Sequence, residues 1–201
     1  MIKAQDTLSN TQGISVHFFL RYSNWGSSSP MLSEISVKDH NGAGFGLGMS
    51  YPIFDNFSIF TSYQNCSYDF TYYWTNYRTD LVEGGIQYDF RNNNFRLRPY
   101  VRAKFGYNEL RLKPVDLVID DFTKIVNADL ILWNFYAGTE VGFQYFLNRN
   151  VLTFGISGRT GKFKESTLNS ISYIPKNPIG FRFFGVKVGI KRYFSIPSFI
   201  K

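Results

Sequence analysis

The sequence predicts an all-β protein, an eight-stranded antiparallel up-and-down transmembrane β-barrel with short periplasmic turns and long extracellular loops. Three observations support this prediction. Eight segments alternate between apolar and polar residues, as strands with one apolar face do. The connections between these segments alternate strictly between short and long. Aromatic residues make up 19% of the 201 residues although the mean hydropathy is slightly negative, which is typical of a spanning barrel and not of a membrane helix.

The first four predicted strands show the alternation to different degrees. The second strand is the clearest, because five larger residues alternate with Gly44, Gly46, Gly48 and Ser50. The third strand is the weakest of the set. In chain order the segments are GISVHFFLRYS (13–23), GAGFGLGMSY (42–51), FSIFTSYQ (57–64) and LVEGGIQYDF (81–90).

The last four predicted strands carry more charge than the first four. Pro99 lies within the first of them and has no N–H group to donate to a neighbouring strand, so we expect a bulge or a local break there. The segments are RLRPYVRAKFGYN (96–108), WNFYAGTEVGFQY (133–145), LTFGISGR (152–159) and FFGVKVGIKRYF (183–194).

The connections predict the direction of the barrel. Three of them, at 52–56, 91–94 and 147–150, are short turns rich in Asn and Asp. The other four, near 24–42, 65–79, 109–129 and 160–180, are each about fifteen residues or longer, a length that is uncommon in compact soluble domains. An up-and-down barrel places all short turns at one rim and all long loops at the other. Outer-membrane barrels have this asymmetry.

The polar face of each strand is expected to line the lumen. Charges of both signs occur there at mid-strand, and buried charges persist only when they are paired and hydrogen-bonded. The sequence therefore predicts an interior network with two glutamates at its centre and cations around them, and a lumen filled by its own side chains that does not conduct. The predicted members are Glu83, Glu140, Arg21, Arg98, Arg102, Lys104, Arg159 and Lys187.

The apolar face of each strand is expected to contact lipid. Glycines that alternate along the polar face of the second strand suit a narrow lumen better than a solvated surface, because they leave room for large neighbours. A soluble lipocalin-like barrel that binds a ligand, with the apolar face inside, is the alternative. The apolar face also ends repeatedly in aromatic residues, as in a membrane girdle: Tyr22, Tyr51, Tyr88, Phe90, Tyr107, Trp133, Phe135, Tyr145 and Phe194.

Three segments carry a resemblance to known proteins: RPYVRAKFGYN (98–108), GAGFGLGMSY with its PIFDN turn (42–56), and VGIKRYF (188–194). They resemble the eight-stranded outer-membrane barrels of the OmpA/OmpX type, and most closely the PorT-like barrel proteins of Bacteroidetes. Within the last segment, Val188, Ile190 and Phe194 resemble the C-terminal assembly signal of such barrels. The resemblance implies an integral outer-membrane protein of a Gram-negative bacterium, surrounded by outer-membrane lipid and lipopolysaccharide.

The chain divides into three parts. Residues 1–11 are predicted to be a mature N-terminal segment, in which 1–4 is a possible remnant of a signal peptide because Ala4 and Gln5 resemble a cleavage site. Residues 12–194 form the barrel. Residues 195–201, SIPSFIK, are expected to be a periplasmic tail, which many barrels of this type lack.

Two histidines are the candidates for catalysis. His17 lies on the lumen face beside Ser15 and is interpreted as a hydrogen-bonding residue of the lumen. His40 follows Asp39 in a long outer loop that also holds NWGSSSP (24–30), and a barrel enzyme acting on lipid A would place a catalytic histidine in such a loop. No motif marks a serine nucleophile, so the sequence favours a protein without enzymatic activity.

Other classes of function receive less support. The formal net charge is +7, but the cations are scattered along the strands and form no block, so no nucleic-acid partner is expected. The single cysteine, Cys66, excludes an internal disulfide and is interpreted as a loop thiol. Neither histidine has partners at metal-ligand spacing, so no metal site and no cofactor are predicted.

The outer loops are the predicted location of function. The loop at 65–80 is dense in aromatic residues, which are typical of contacts with proteins or glycans; the alternative is that they extend the strands and pack on one another. The loop at 109–129 is unusually apolar and is expected to form an extra hairpin or to cover a partner. The contact candidates are Tyr68, Phe70, Tyr72, Tyr73, Trp74 and Tyr77.

The favoured function is a non-enzymatic anchor or subunit of an envelope assembly with protein partners, of which a PorT-like role in protein secretion is the most specific form. A lipid A-modifying enzyme that uses His40 is the first alternative. A soluble ligand-binding barrel is the second.

Overall fold

The computed structural model describes residues 13–27, 40–69, 76–90, 95–120, 123–163, 165–173 and 179–195. These residues contain no helix long and apolar enough to cross a membrane. They form ten strands: β1 (Gly13–Ser27), β2 (His40–Pro52), β3 (Phe57–Asp69), β4 (Asn76–Asp89), β5 (Leu97–Asp120), β6 (Thr123–Leu147), β7 (Asn150–Phe163), β8 (Glu165–Leu168), β9 (Ile171–Tyr173) and β10 (Ile179–Ser195).

Eight of the described strands close into an antiparallel barrel. Each strand from β1 to β6 pairs with the strand that follows it in sequence, and β10 closes the ring by pairing with both β7 and β1. The short strands β8 and β9 form a hairpin at the outer end, where β8 pairs with β6 beyond the last residue of β6 that pairs with β7. The predicted eight-stranded up-and-down barrel is confirmed.

The strands are strongly tilted around the barrel axis. Following paired residues once around the ring from Phe135 on β6 leads through β5, β4, β3, β2, β1, β10 and β7 to Tyr145, ten residues further along the same strand. This stagger in eight strands corresponds to a tilt of roughly 40° and to a lumen that side chains can fill.

The two faces of the wall are divided as the alternation predicts. Polar residues of each strand are buried in the lumen, whereas large apolar residues cover the outside, with Phe135 82% exposed and Phe105 68% exposed. The side chains of Val188, Ile190 and Phe194 also face outwards. Other apolar residues on the outside are Phe18, Leu20, Phe45, Leu47, Val82, Ile86, Val141, Phe143 and Phe154.

Lumen glycines make room for rings, as expected from the pattern of the second strand. A Cβ atom at Gly46 would overlap the ring of Phe19, and one at Gly48 would overlap the imidazole of His17. A Cβ atom added at Gly142 would lie 2.7 Å from the Tyr100 hydroxyl. Larger residues at these positions would have to displace ring side chains that fill the lumen.

The long connections are shorter than the sequence predicts, because the strands continue past the outer girdle. Strands β3 and β4 reach Asp69 and Asn76, so much of the predicted 65–80 loop is paired backbone. Strands β5 and β6 are 24 and 25 residues long, and the extra hairpin expected between 109 and 129 is confirmed as their continuation. The predicted segment 1–11 lies outside the described residues, and so does the predicted tail 195–201 apart from Ser195, which ends β10.

Two local expectations are wrong. The register between β5 and β6 is continuous at Pro99, and the shifts in register lie near Leu112, Val115 and Val118. Pro99 causes no break because of its position at the end of the pairing between β4 and β5. The last paired residues are Asp89 of β4 and Tyr100 of β5, so the N–H group that Pro99 lacks falls where this pairing ends. Cys66 is a buried lumen residue of β3 and not a loop thiol, since β3 extends through it.

Candidate functional site in the lumen and at the outer end

Glu140 on β6 is the centre of the polar lumen. Its carboxylate lies 3.0 Å from Arg102 Nη1, 3.1 Å from Lys104 Nζ and 2.6 Å from Lys187 Nζ. The hydroxyl of Tyr100 donates to it at 2.8 Å. The residue is 2% exposed, so its charge is removed from water and balanced by three cations.

Glu83 on β4 forms a second centre that is bonded mainly by neutral donors. Ser62 Oγ lies 3.1 Å from Oε1, and Gln64 Nε2 donates to the same oxygen. The hydroxyl of Tyr136 donates to Oε2 at 2.6 Å, and Lys104 Nζ lies 3.6 Å from Oε2. Lys104 therefore lies between the two glutamates and joins both centres into one network.

The network crosses the barrel between strands that are not neighbours. Lys187 on β10 reaches Glu140 on β6 past β7, and Tyr136 on β6 reaches Glu83 on β4 past β5. Such bonds hold the wall at a fixed diameter, because loosening one strand leaves a charge buried without its partner. Chemically, the arrangement cross-links the barrel and fills its centre.

The other predicted cations share the lumen but have different surroundings. Arg21 donates to Gln64 Oε1 at 2.6 Å, and its Nη2 lies 3.4 Å from Ser157 Oγ. The guanidinium of Arg159 lies over the rings of Tyr136 and Phe183, at 5.3 and 5.2 Å. Arg98 lies 4.3 Å over the ring of Phe146 near the periplasmic end.

An apolar cluster fills the outer end of the lumen, and sequence reasoning missed it. It includes leucines that share the parity of the lumen face on β5, while Arg111 and Lys113 face outwards. The alternation of leucines with charged residues in this part of β5 indicates a strand with an apolar inner face, whereas residues 109–129 were predicted from the sequence to be a loop. The cluster consists of Cys66, Tyr68, Tyr77, Leu81, Leu110, Leu112, Ala128, Leu130, Leu132, Tyr136, Phe181 and Phe183.

A smaller apolar cluster of Phe146, Val151 and Tyr193 lies at the periplasmic end. Lys191 is 1% exposed there, with its ammonium group 4.7 Å over the Tyr193 ring. Along its axis the lumen is thus apolar at the outer end, polar in the middle and mixed at the periplasmic end, where Arg98 and Lys191 lie over aromatic rings. All three layers consist of the barrel's own side chains.

The aromatic contact candidates separate into two groups. Tyr68 and Tyr77 are both 2% exposed, because β3 and β4 continue through them and turn their rings into the outer apolar cluster. The Tyr68 hydroxyl donates to Ser23 Oγ at 3.1 Å. These two residues are therefore not surface contacts. Phe70, Tyr72, Tyr73 and Trp74 lie outside the described residues.

A collar of charged residues lies on the outside of β4, β5 and β6, above the outer girdle residues Tyr63, Tyr107 and Trp133. Three of its cations are paired: Arg78 with Asp80 at 3.0 Å, Lys113 with Asp129 at 2.7 Å, and Arg111 with Glu109. Trp133 Nε1 also donates to Glu109 at 3.1 Å. The change from aromatic to charged residues marks the outer boundary of the membrane.

The catalytic candidates are not brought together. His17 is buried in the lumen, and neither ring nitrogen has a hydrogen-bond partner among the described residues. The neighbouring Ser15 is bonded instead to Ser50, with 2.5 Å between the hydroxyl oxygens. The backbone of His40 begins β2, but its side chain lies outside the described part of the chain. That part holds no group of three potential metal ligands.

Solved structures with the same architecture are outer-membrane barrels. Neisserial surface protein A has a TM-score of 0.65 at 14% identity, over 90% of this chain and 97% of that chain. OprG from Pseudomonas aeruginosa has a TM-score of 0.57 at 13% identity, over 93% and 98%. Ail, the attachment invasion locus protein of Yersinia pestis, has a TM-score of 0.51 at 11% identity, over 90% and 99%.

No protein-family model matches the chain, and no curated protein matches it in sequence. At the identities above, the structural likeness establishes the fold alone. The closed barrel, its apolar outer surface and its aromatic girdles are the features of a wall that contacts lipid. The chain is an eight-stranded β-barrel of the outer membrane.

Proposed function

We propose that this protein is a non-enzymatic anchor or subunit of an envelope assembly. The observation that carries the proposal is the projection of β5 and β6 beyond the barrel. The last residue of β5 that pairs with β4 is Lys113, whereas β5 continues to Asp120 in pairing with β6. Seven further residues of strand correspond to roughly 20 Å. Closure of the barrel does not require this extension of β5 and β6.

The projection offers an edge for a partner. From 114 to 120, β5 pairs with β6 on one side and with no described strand on the other. Free N–H and C=O groups along such an edge accept an added strand from another chain. The filled lumen favours the same interpretation, because it leaves the outer surface as the place where the protein acts.

The most specific form of the proposal is a PorT-like role in protein secretion. The resemblance of the 42–56, 98–108 and 188–194 segments supports it. The alternative is a lipid A-modifying enzyme that uses His40, whose side chain lies outside the described part of the chain. The other histidine, His17, is buried, and the neighbouring Ser15 is bonded to Ser50.

Site-specific photo-crosslinking in native outer membranes tests the proposal. A photoreactive residue in place of Lys113, at the base of the projection, is expected to give discrete adducts with protein. The matched control replaces Phe105, eight residues earlier on the same face of β5, where only lipid adducts are expected. Lipid adducts alone from both positions would contradict the proposal.

A second variant separates the projection from the barrel. Replacing residues 114–127 with an Asn-Gly turn is expected to abolish the protein adducts and to leave the heat-modifiable migration of the folded barrel unchanged. Adducts that survive this deletion would place the partner elsewhere on the protein.

A further inference from the structure

The lumen holds far more positive than negative charge. Among the described residues, seven arginine and lysine side chains are buried, but only two carboxylates, Glu83 and Glu140, are buried with them. The two carboxylates offset two of the seven positive charges, and Glu140 alone is shared by three cations. A buried charge without a counter-charge is costly, so the remaining cations need another source of negative charge.

The excess positive charge is concentrated at Arg21 and Arg159, where the polar layer of the lumen meets the outer apolar cluster. Neither residue forms an ion pair with a described carboxylate. Glu83 is already bonded to Ser62, Gln64 and Tyr136, so its oxygens are largely occupied. Arg21 and Arg159 are only 4% and 8% exposed.

The two guanidinium groups face the same part of the wall. Arg21 lies against Gly185 of β10, where an added Cβ would be 2.7 Å from Nη2 and 2.8 Å from Nε. On the other side of β10, Arg159 pairs with Phe183 and follows Ser157 by two residues. The Arg159 guanidinium lies 5.2 Å over the ring of Phe183, which is two residues from Gly185 on the same face of β10.

Donors remain available between these groups. The Nε atoms of Arg21 and Arg159 are buried and have no hydrogen-bond partner among the described residues. The Ser157 hydroxyl lies 3.4 Å from both Arg21 Nη2 and the carbonyl oxygen of Gly185, at the long limit of hydrogen bonding. Two guanidinium groups and one hydroxyl thus lie at neighbouring positions of the wall, and the single charge of Glu83 is shared with Lys104.

We propose that Arg21 and Arg159 bind a small monovalent inorganic anion, of the halide class, inside the lumen beside Gly185 and Ser157. The rings of Tyr136 and Phe183 make the surroundings partly apolar. A monovalent halide is cheaper to remove from water than a phosphate that carries up to two charges. The bound anion supplies the missing counter-charge and stabilises the folded barrel.

Anion-dependent stability tests the proposal on the whole protein in a neutral detergent. The apparent midpoint of thermal unfolding is measured at a fixed heating rate in sodium gluconate and in sodium chloride at equal ionic strength. Chloride is expected to raise the midpoint saturably, by about 3 °C or more. Equal midpoints in the two salts, or a rise in phosphate without one in chloride, would overturn the proposal.

Two variants locate the effect. Arg159→Gln is expected to abolish the chloride response, whereas Arg192→Gln, which removes an exposed cation on the outer face of the neighbouring β10, is expected to keep it. If Arg159→Gln does not fold, crystals of the wild-type protein grown in bromide decide the matter. An anomalous peak in contact with both guanidinium groups is expected, and its absence there refutes the site.

Discussion

Lys187 Nζ lies 2.6 Å from Glu140 Oε1, and this contact joins β10 to β6 across the lumen. Arg102 and Lys104 of β5 bind the same carboxylate. One buried acid therefore ties three strands together, including β10, which closes the barrel against β1.

Removing this carboxylate should weaken the barrel strongly. In Glu140→Gln, three buried cations lose their counter-charge, and we expect a loss of at least about 3 kcal/mol in the free energy of unfolding. The measurement is urea unfolding of the refolded protein in detergent. The control is Glu109→Gln in the exposed collar, for which we expect about 1 kcal/mol or less. Equal losses in the two variants would show that the lumen network does not hold the barrel together.

Glycines of the lumen should tolerate no side chain, unlike a glycine that faces outwards. In Gly142→Ala, the new methyl group overlaps the Tyr100 ring and the Phe154 carbonyl, and we expect a loss of about 1–3 kcal/mol. The matched control is Gly158→Ala, where an added Cβ meets nothing within 4 Å. Both variants are compared by urea unfolding. A Gly142→Ala barrel as stable as the control would contradict the packing described for the lumen.

The outer surface should bind the phosphate groups of lipopolysaccharide at one place in particular. Lys162 and Arg182 lie near each other at the outer ends of β7 and β10, are exposed, and make no ion pair with a described carboxylate. Replacing both with Gln is expected to reduce the lipopolysaccharide that co-purifies with the barrel at least twofold, measured per folded protein.

Arg78→Gln provides the comparison for this prediction. Its guanidinium is already bound to Asp80, so little change is expected. If Arg78→Gln reduces the co-purified lipopolysaccharide as much as the double variant does, the cations at Lys162 and Arg182 have no special role.

The protein should leave lipid A unmodified. Cells that produce the wild-type barrel and cells that produce His40→Ala are expected to show the same lipid A species by mass spectrometry. A species that depends on the wild-type protein and disappears in His40→Ala would establish the enzymatic alternative.

The alternation of residues predicted the wall of the barrel well, because within the membrane each position faces either lipid or a closed lumen. It placed Glu83, Glu140, Lys104 and Lys187 in the same lumen. Because the barrel is narrow, the ammonium groups of the lysines lie close to the carboxylates. Of the three predicted short turns, those at 52–56 and 147–150 lie in the described part of the chain and join paired strands, and Asn148 adopts a left-handed backbone with φ of 56°. The turn at 91–94 lies outside the described residues.

The outer end was not predicted, for a physical reason. Above the girdle the outside of the wall meets water and not lipid, so the polarity of the two faces reverses. Leu110 and Leu112 turn inwards, while Arg111 and Lys113 turn outwards. A segment that continues the strand with reversed polarity is easily mistaken for a loop. The sequence also did not predict which side chains surround Arg21 and Arg159. The neighbours of a lumen side chain depend on how far the strands are shifted relative to one another, and the sequence does not give this shift.

The most direct test of a membrane-spanning barrel with a filled lumen is its conductance in a planar lipid bilayer. The refolded protein, inserted into the bilayer and shown to be folded by its heat-modifiable migration, is predicted to give no discrete current steps in 1 M salt. Reproducible steps of uniform size from the folded protein would contradict the account, because they require a continuous aqueous path through the polar and apolar layers of the lumen.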